Sequence, residues 1–346
     1  MMDMKNFHKD FRLNGRQFSS DKEIIAYCKE NIPEILPFLT EWFSDDRELI
    51  VKTSGSTGTP KKIAIHKKFM INSAIATGEF FNLQAKIKAL LCLSPSYIAG
   101  KMMLVRAMVL GWNLDVIAPV SLPLRKNKTY DFVAMVPLQV QKSIKDLYKV
   151  KLILVGGGIL DKKILDKIRL QNTKIFQSYG MTETVTHIAV RELYPNFEKR
   201  YSALKDVKIT IDSRNCLVIN APKVAEDSVF TNDLVEILDD SHFKWLGRVD
   251  NIINSGGIKL VPEQIEDKLQ SMISVPFFIS KKQDDLLGEK VVLFVEGSND
   301  NTLLHKLKKS DLLIKYEMPK EVAFVDEFVR TETGKINRIL TKKLIE

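Results

Sequence analysis

Cysteine is scarce in this chain: Cys28, Cys92 and Cys216 are the only three in 346 residues, widely separated and without paired metal spacing. That excludes a disulfide scaffold and a zinc-finger module, and the expectation is reduced thiols packed inside a cytoplasmic protein. Histidine is thin as well, five in all, and His8, His66, His242 and His305 are dispersed without ligand spacing, so no zinc site is expected. No stretch approaches the roughly 18 consecutive apolar residues of a membrane-spanning helix. The opening Met1-Met2-Asp3-Met4-Lys5 lacks the apolar segment of a signal peptide. There is no long internal repeat and no extended low-complexity tract, which argues against a solenoid or a disordered interaction tail.

Acidic residues are outnumbered by basic ones, 43 against 52, giving a formal net charge of +9. Such a surplus attracts nucleic acid, anionic lipid or phosphorylated small molecules alike. The basic clusters are Lys61-Lys62, Lys67-Lys68, and Lys306, Lys308 and Lys309 around Leu307. None carries interleaved aromatics, and the apolar face of Leu303 to Leu313 is short. They read as solvated helix faces, so neither nucleic acid nor stable membrane insertion is expected.

What is present is α/β punctuation. A length of 346 residues allows one large cored domain and a smaller one. Ser20 or Asp21 can cap a first helix through Cys28, and Pro33 can start a second through Trp42. The apolar triplets Leu49-Ile50-Val51 and Ile63-Ala64-Ile65 read as strands. A helix over Lys67 to Leu83 is expected to turn Phe69, Ala76, Phe80 and Leu83 to the core. Strands at Leu90–Leu93, Leu114–Ala118, Phe132–Met135 and Lys151–Val155 alternate with helices at Gly100–Leu110, Pro137–Ile144 and Asp161–Ile168. That order predicts a mostly parallel sheet with ligands at the strands' carboxyl ends. After Tyr194-Pro195 short strands dominate, predicting a β-rich closing subdomain, and from Pro262 onward the pattern is compact α+β. The polar stretch Gly247-Arg248-Val249-Asp250-Asn251 marks a boundary, with an N-terminal domain at 1–249 and a C-terminal one at 251–346.

Three segments point to chemistry. Thr53-Ser54-Gly55-Ser56-Thr57-Gly58-Thr59-Pro60-Lys61 follows a strand and gathers glycines, hydroxyls and a lysine, the composition that cradles phosphates. A P-loop starting at Gly55 would need glycine at 60 and Ser or Thr at 62, where the chain has Pro60 and Lys62, so an ordinary P-loop NTPase is disfavoured. Gly156-Gly157-Gly158 ends another strand. Gln177-Ser178-Tyr179-Gly180-Met181-Thr182-Glu183-Thr184 ends a third.

The last of these resembles the YGxTE signature of adenylate-forming enzymes, and the loop at 53–61 resembles their phosphate-binding signature. Thr231-Asn232-Asp233-Leu234, Gly247-Arg248-Val249-Asp250, Ser255-Gly256-Gly257-Ile258-Lys259 and Thr333-Gly334-Lys335-Ile336 follow in that superfamily's order. The resemblance implies an acyl-CoA synthetase-like fold: an α/β large domain with a β-rich closing subdomain, a small mobile α+β C-terminal domain, and a shortened N-terminus, since the phosphate loop already starts at 53. It also implies roles. Thr53, Ser54, Gly55, Ser56, Thr57, Gly58 and Lys61 would handle ATP phosphates. Glu183 would hold Mg²⁺ and Thr182 would position the adenylate. Gly156, Gly157, Gly158, Ser178, Tyr179 and Gly180 would surround adenine, Asp233 would take the ribose hydroxyls and Arg248 would assist. Lys335 would serve adenylation. Asp250 would be the hinge, with Gly256, Gly257 and Lys259 on the face used for CoA. Taken singly, Asp233 reads equally as a turn cap, Arg248 and Lys335 as surface cations, and Tyr179 as a packing group.

Within the superfamily, Ser94 to Met103 and Tyr179 to Ala189 resemble the short o-succinylbenzoate-CoA ligases of menaquinone biosynthesis. The resemblance implies ATP, CoA and a small aromatic carboxylate as partners. Tyr97, Gly100, Lys101, Arg106 and His187 become candidates for the acid pocket. Lys101 and Arg106 interrupt an apolar helix, where a surface position is the ordinary reading and a contact to a second substrate carboxylate the sharper one. Loading of a carrier-protein thiol, and a noncatalytic nucleotide-binding role, remain alternative functions at this stage.

Overall fold

The fold, obtained as a computed structural model, describes residues 7–52, 61–169, 172–300, 302–331 and 334–345. The described residues divide into two compact units. The first runs to Ile209 and adds Ile219–Val229 and Asp239–His242; the second comprises Thr210–Val218, Phe230–Leu238 and the chain from Phe243 onward.

The first unit is built on a mostly parallel sheet, as the alternation of apolar strands and helices predicts. Its strands lie side by side in the order Arg200–Ala203, His187–Tyr194, Lys174–Gly180, Val150–Val155, Tyr130–Met135, Lys88–Leu91, Asn113–Val116, Arg12–Leu13 and Arg16–Gln17. From Lys174–Gly180 through Arg12–Leu13 every neighbouring pair is parallel. His187–Tyr194 returns antiparallel beside Lys174–Gly180. The parallel strands read as unbroken apolar runs because both faces are covered. Leu90, Val133, Met135, Ile153, Val155 and Ile175 form one continuous core with Val140 and Leu165 from flanking helices. Glu48–Lys52 and Lys62–His66 stand apart as an antiparallel pair in register from Glu48↔His66 to Lys52↔Lys62.

Ser20 caps the helix Asp21–Asn31, its side chain accepting from the Glu23 amide. The next α-helix, Leu36–Phe43, carries Pro37 in its first turn, where no amide donor is needed, so that proline does not break it. The helix Lys67–Phe81 corrects an expectation. Its buried face is Met70, Ser73, Ala74, Thr77 and Gly78, whereas Phe80 is 39% exposed. Small residues face inward because the helix packs tightly on Ile98–Leu110: a Cβ on Gly78 would stand 2.9 Å from Leu110 Cδ1. A second correction concerns Lys101 and Arg106, whose ordinary reading was exposed; the whole stretch from Gly100 to Met108 is buried.

Most of the run Lys208–Ile211, Cys216–Asn220, Val229–Asp239 and His242–Arg248, successive strands lying side by side, falls in the second unit. Beyond these comes a small sheet in the order Ile258–Leu260, Ile253–Ser255, Gly288–Glu296, Phe277–Asp284, with Glu321–Val325 parallel to Gly288–Glu296. The helices Pro262–Leu269 and Leu303–Lys309 cover it through Ile265, Leu269, Leu303 and Leu307. This is the expected α+β pattern. All three cysteines are buried and free.

Candidate active site

In the first unit, two of the chemistry-bearing loops leave neighbouring parallel strands at their carboxyl ends. Gly156, Gly157 and Gly158 follow Val150–Val155, and Ser178, Tyr179 and Gly180 end Lys174–Gly180. Ser178 Oγ donates to the Val155 carbonyl at 2.9 Å. Gln177, buried beside it, shapes the glycine loop: Nε2 donates to the Gly158 carbonyl at 2.9 Å, and Oε1 accepts from the Leu160 amide at 3.3 Å. Tyr179 packs edge-on against Tyr201 with ring centroids 5.6 Å apart, and the Arg191 guanidinium lies 5.1 Å from the Tyr201 centroid. Gly180 allows a backbone approach that no side chain would: a Cβ there would stand 2.1 Å from the Thr186 carbonyl oxygen.

That approach belongs to a tight reversal. Thr182–Thr184 is a single 3₁₀ turn, and Val185 follows at φ 65°, ψ −65°. The Thr186 amide donates to the Thr184 carbonyl at 2.7 Å, closing a γ-turn of the strained hand. The turn leaves Glu183 exposed and brings Thr186 and His187 inward. Among the described residues no group of three or more His, Cys, Asp or Glu could hold a metal. Glu183 presents one exposed carboxylate at this turn, an oxygen donor of the kind Mg²⁺ takes alongside waters and phosphates.

Arg106 and His187 meet beneath this turn. Arg106 is 2% exposed. Its Nε donates to Thr77 Oγ1 at 3.1 Å, and Nη2 reaches Thr186 Oγ1 at 3.3 Å and His187 Nδ1 at 3.5 Å. Ser73 Oγ lies 3.0 Å from Thr186 Oγ1 and completes the set. No carboxylate among the described residues pairs with this guanidinium. Burial pulls its pKa down to about 10, which leaves it charged at neutral pH. Burial and the Arg106 charge push His187 down to about 3, so the imidazole is neutral. A guanidinium only donates, which makes Nδ1 the acceptor and places the proton on Nε2. His187 Nε2 is buried without a partner among the described residues.

Lys101 is on the same helix but turned elsewhere. It is 8% exposed, with Nζ 5.1 Å from the Phe38 ring centroid and 3.7 Å from Glu41 Oε2. Tyr97 is the residue preceding the helix, and Gly100 lets its first turn sit on the Ser94 carbonyl, 2.2 Å from where a Cβ would be. Of the five acid-pocket candidates, Arg106 and His187 are thus brought together, while Lys101 serves a different contact.

The second unit gathers another set. Asp233, 8% exposed, accepts from Trp245 Nε1 at 3.1 Å. Arg248 Nη1 lies 3.9 Å from Asp233 Oδ1, and its Nη2 2.9 Å from Asp250 Oδ2. Lys335 is half-buried, and burial first, then the charge of Arg248, lower its pKa below the usual lysine value. Gly256 and Gly257, at φ 58° and 81°, form the two-residue turn between Ile253–Ser255 and Ile258–Leu260, and Lys259 is exposed just after it. Thr53, Ser54, Gly55, Ser56, Thr57 and Gly58 lie outside the described residues; Lys61 is exposed next to the strand Lys62–His66.

Sequence reading missed Gln177, Thr77 and Thr186, which shape these groups. Only Gln177 carried a local signal, as a polar residue in an apolar strand.

The strand-end glycine loop and YGxTE turn of the first unit, and the Asp233–Arg248 pair of the second, are the ordered motifs of the adenylate-forming acid-CoA ligase class. The chain belongs to the AMP-binding enzyme family, whose model matches residues 40–211. A solved acyl-CoA synthetase (AMP-forming)/AMP-acid ligase II-like protein from Dyadobacter fermentans is 35% identical, covering 93% of this chain and 98% of its own, at a TM-score of 0.61. A 2-succinylbenzoate–CoA ligase of Staphylococcus aureus strain JH9 is 26% identical over 94% of this chain and 72% of that protein. The fold is also that of an O-succinylbenzoate coenzyme A synthetase from Bacillus subtilis, solved with ATP and magnesium: 17% identity, TM-score 0.71, 95% of this chain and 83% of that one.

Proposed function

We propose that this chain joins o-succinylbenzoate to CoA, using ATP and releasing AMP and pyrophosphate. The observation that supports this acid is the buried Arg106 guanidinium, which has only neutral partners among the described residues, next to an unpartnered His187 Nε2. A buried cation without a counter-ion is costly, and a substrate carrying a second carboxylate beside the reacting one supplies the missing charge. The names of the Staphylococcus aureus and Bacillus subtilis relatives point to the same acid.

In the first half-reaction the substrate carboxylate oxygen attacks the α-phosphorus of ATP, and the bond to pyrophosphate breaks. Lys335 offsets the negative charge that develops there. Tyr179 and the Gly156–Gly158 loop hold the adenine, and Asp233, kept in place by Trp245, accepts from the ribose hydroxyls. Glu183 would hold Mg²⁺, which when bound neutralises phosphate charge. In the second half-reaction the CoA sulfur attacks the acyl carbonyl and AMP leaves. No protein nucleophile is needed, in keeping with three buried cysteines, two of which burial pushes up to about 12.

The test is mass spectrometry of the acyl product from purified protein with ATP, Mg²⁺, CoA and o-succinylbenzoate, with AMP quantified alongside. Equal amounts of o-succinylbenzoyl-CoA and AMP are expected. AMP without acyl-CoA would transfer the assignment to a carrier-protein thiol, and neither product would overturn it.

A further inference from the structure

Asn232 sits between two charges of opposite sign. Its Oδ1 accepts from Arg214 Nη1 at 3.0 Å, while its Nδ2 stands 3.1 Å and 3.2 Å from the two carboxylate oxygens of Asp250. A guanidinium only donates and a carboxylate only accepts, so these neighbours fix the orientation of the amide. Arg214 is anchored in turn, 2.7 Å from Asp212 Oδ2 and 3.0 Å from the Thr231 carbonyl. Asp250 also takes Arg248, which leans on Asp233. The following residue is tied elsewhere: Asn251 Nδ2 donates to Glu263, in the first turn of the helix Pro262–Leu269. Asp250 is therefore held to the strand Val229–Asp239, and its neighbour to the helix that opens the small α+β body.

We propose that Asp250 is the pivot of the small α+β body and that Asn232 is a positioning residue that fastens it to the strand Val229–Asp239, so restraining the arrangement in which Lys335 is held near Arg248 for adenylate formation. The proposal rests on the function given above. Rotation at Asp250 must break both Asn232 contacts, while alanine at 232 leaves Arg248 as the partner of Asp250 among the described residues. Arg248 also leans on Asp233, so the pivot loses the neutral restraint that Asn232 supplies.

The test compares N232A and N232D with the wild-type full chain in two readouts. The first is hydrogen exchange of the 249–252 amides without ligand. The second is the rate of each half-reaction: adenylate formation from o-succinylbenzoate and ATP, and transfer of preformed adenylate to CoA. Loss of a hydrogen bond to a charged group predicts about three- to tenfold faster exchange and about three- to tenfold slower adenylate formation, with transfer unchanged or faster. N232D keeps the Arg214 contact but sets two carboxylates against each other, so its effect exceeds that of N232A, and N232D/D250N restores a donor opposite an acceptor and recovers slow exchange. Unchanged exchange in both single variants overturns the proposal, as does an equal fall of both half-reactions together with Tm. If the wild type forms no adenylate, the functional reading fails on its own. Exchange at 249–252 then still decides the restraint, faster in N232A supporting it and unchanged overturning it.

Discussion

Arg106 Nη2 stands 3.5 Å from His187 Nδ1, a permanent cation against an imidazole, both in full burial. The pair is coherent only while the histidine is neutral, because a second positive charge there would meet neither solvent nor a carboxylate of the described residues. Thr77 and Thr186 hold the guanidinium and the strained turn at Val185 places the imidazole, so the fold itself aligns the two.

His187 should make the fold acid-sensitive. Its folded-state pKa is about 3 against an unfolded value of 6.5. Between those values the unfolded chain binds the proton and the folded one does not, so stability is lost as pH falls from 6.5 toward 3. From pH 7 to pH 5 the wild type should lose about 2 kcal/mol more than H187Q. Urea denaturation at the two pH values measures the difference, and parallel losses would refute it.

Arg106 and Lys101 should separate cleanly. R106Q should raise KM for o-succinylbenzoate about 10- to 100-fold, and leave KM for benzoate, which lacks the second carboxylate, within about threefold. K101M loses the Glu41 and Phe38 contacts instead, and should cost on the order of 1 kcal/mol of stability with KM unchanged. Steady-state kinetics with both acids, with melting curves, distinguish the two roles.

Lys335 should divide the half-reactions. Its lowered pKa means that it sheds its proton at a lower pH than a free lysine, so adenylate formation should decline on the alkaline side before transfer does. K335Q should slow adenylate formation about 100- to 1,000-fold and leave transfer of preformed adenylate to CoA within severalfold. Pre-steady-state quench of each step across pH 7 to about 10 reads both effects.

Gly180 should tolerate no side chain. G180A drives a methyl into the Thr186 carbonyl and the His187 Cα, and backbone atoms cannot rotate aside. About 1–3 kcal/mol of stability should be lost, together with most ATP affinity. Calorimetry of ATP binding on the folded fraction separates the two losses.

The parallel sheet was legible because strands covered on both faces show as unbroken apolar runs, as at Leu152 to Val155. The helix Lys67–Phe81 was misread at its buried face. Apolar periodicity favours Phe69, Ala76 and Phe80, but the helix turns Ser73, Thr77 and Gly78 inward, where hydroxyls meet Arg106 and a missing side chain admits Leu110. The strand Phe277–Asp284 went unforeseen because its second half, Lys281 to Asp284, is polar and mostly charged. Lys281 and Lys282 are satisfied by Glu289 and Glu321 on other strands, partners that no local window reveals. The YGxTE turn and the Asp233–Arg248 pair were legible as ordered motifs; the hydroxyl cradle of Arg106 was not, since Thr77 and Thr186 are far apart in the chain.

The helix Ile98–Leu110 is buried without interruption from Gly100 to Met108. Arg106 thus belongs to a core element, and its cradle is shared by the helix Lys67–Phe81 and the turn after Glu183. If this cradle reads the acid as proposed, acid preference has the inertia of an interior, set by packed helices and a buried turn. Laboratory evolution toward a new acid should therefore succeed through blocks of simultaneous replacements spanning positions 73, 77, 106 and 186, and stall when it samples them singly.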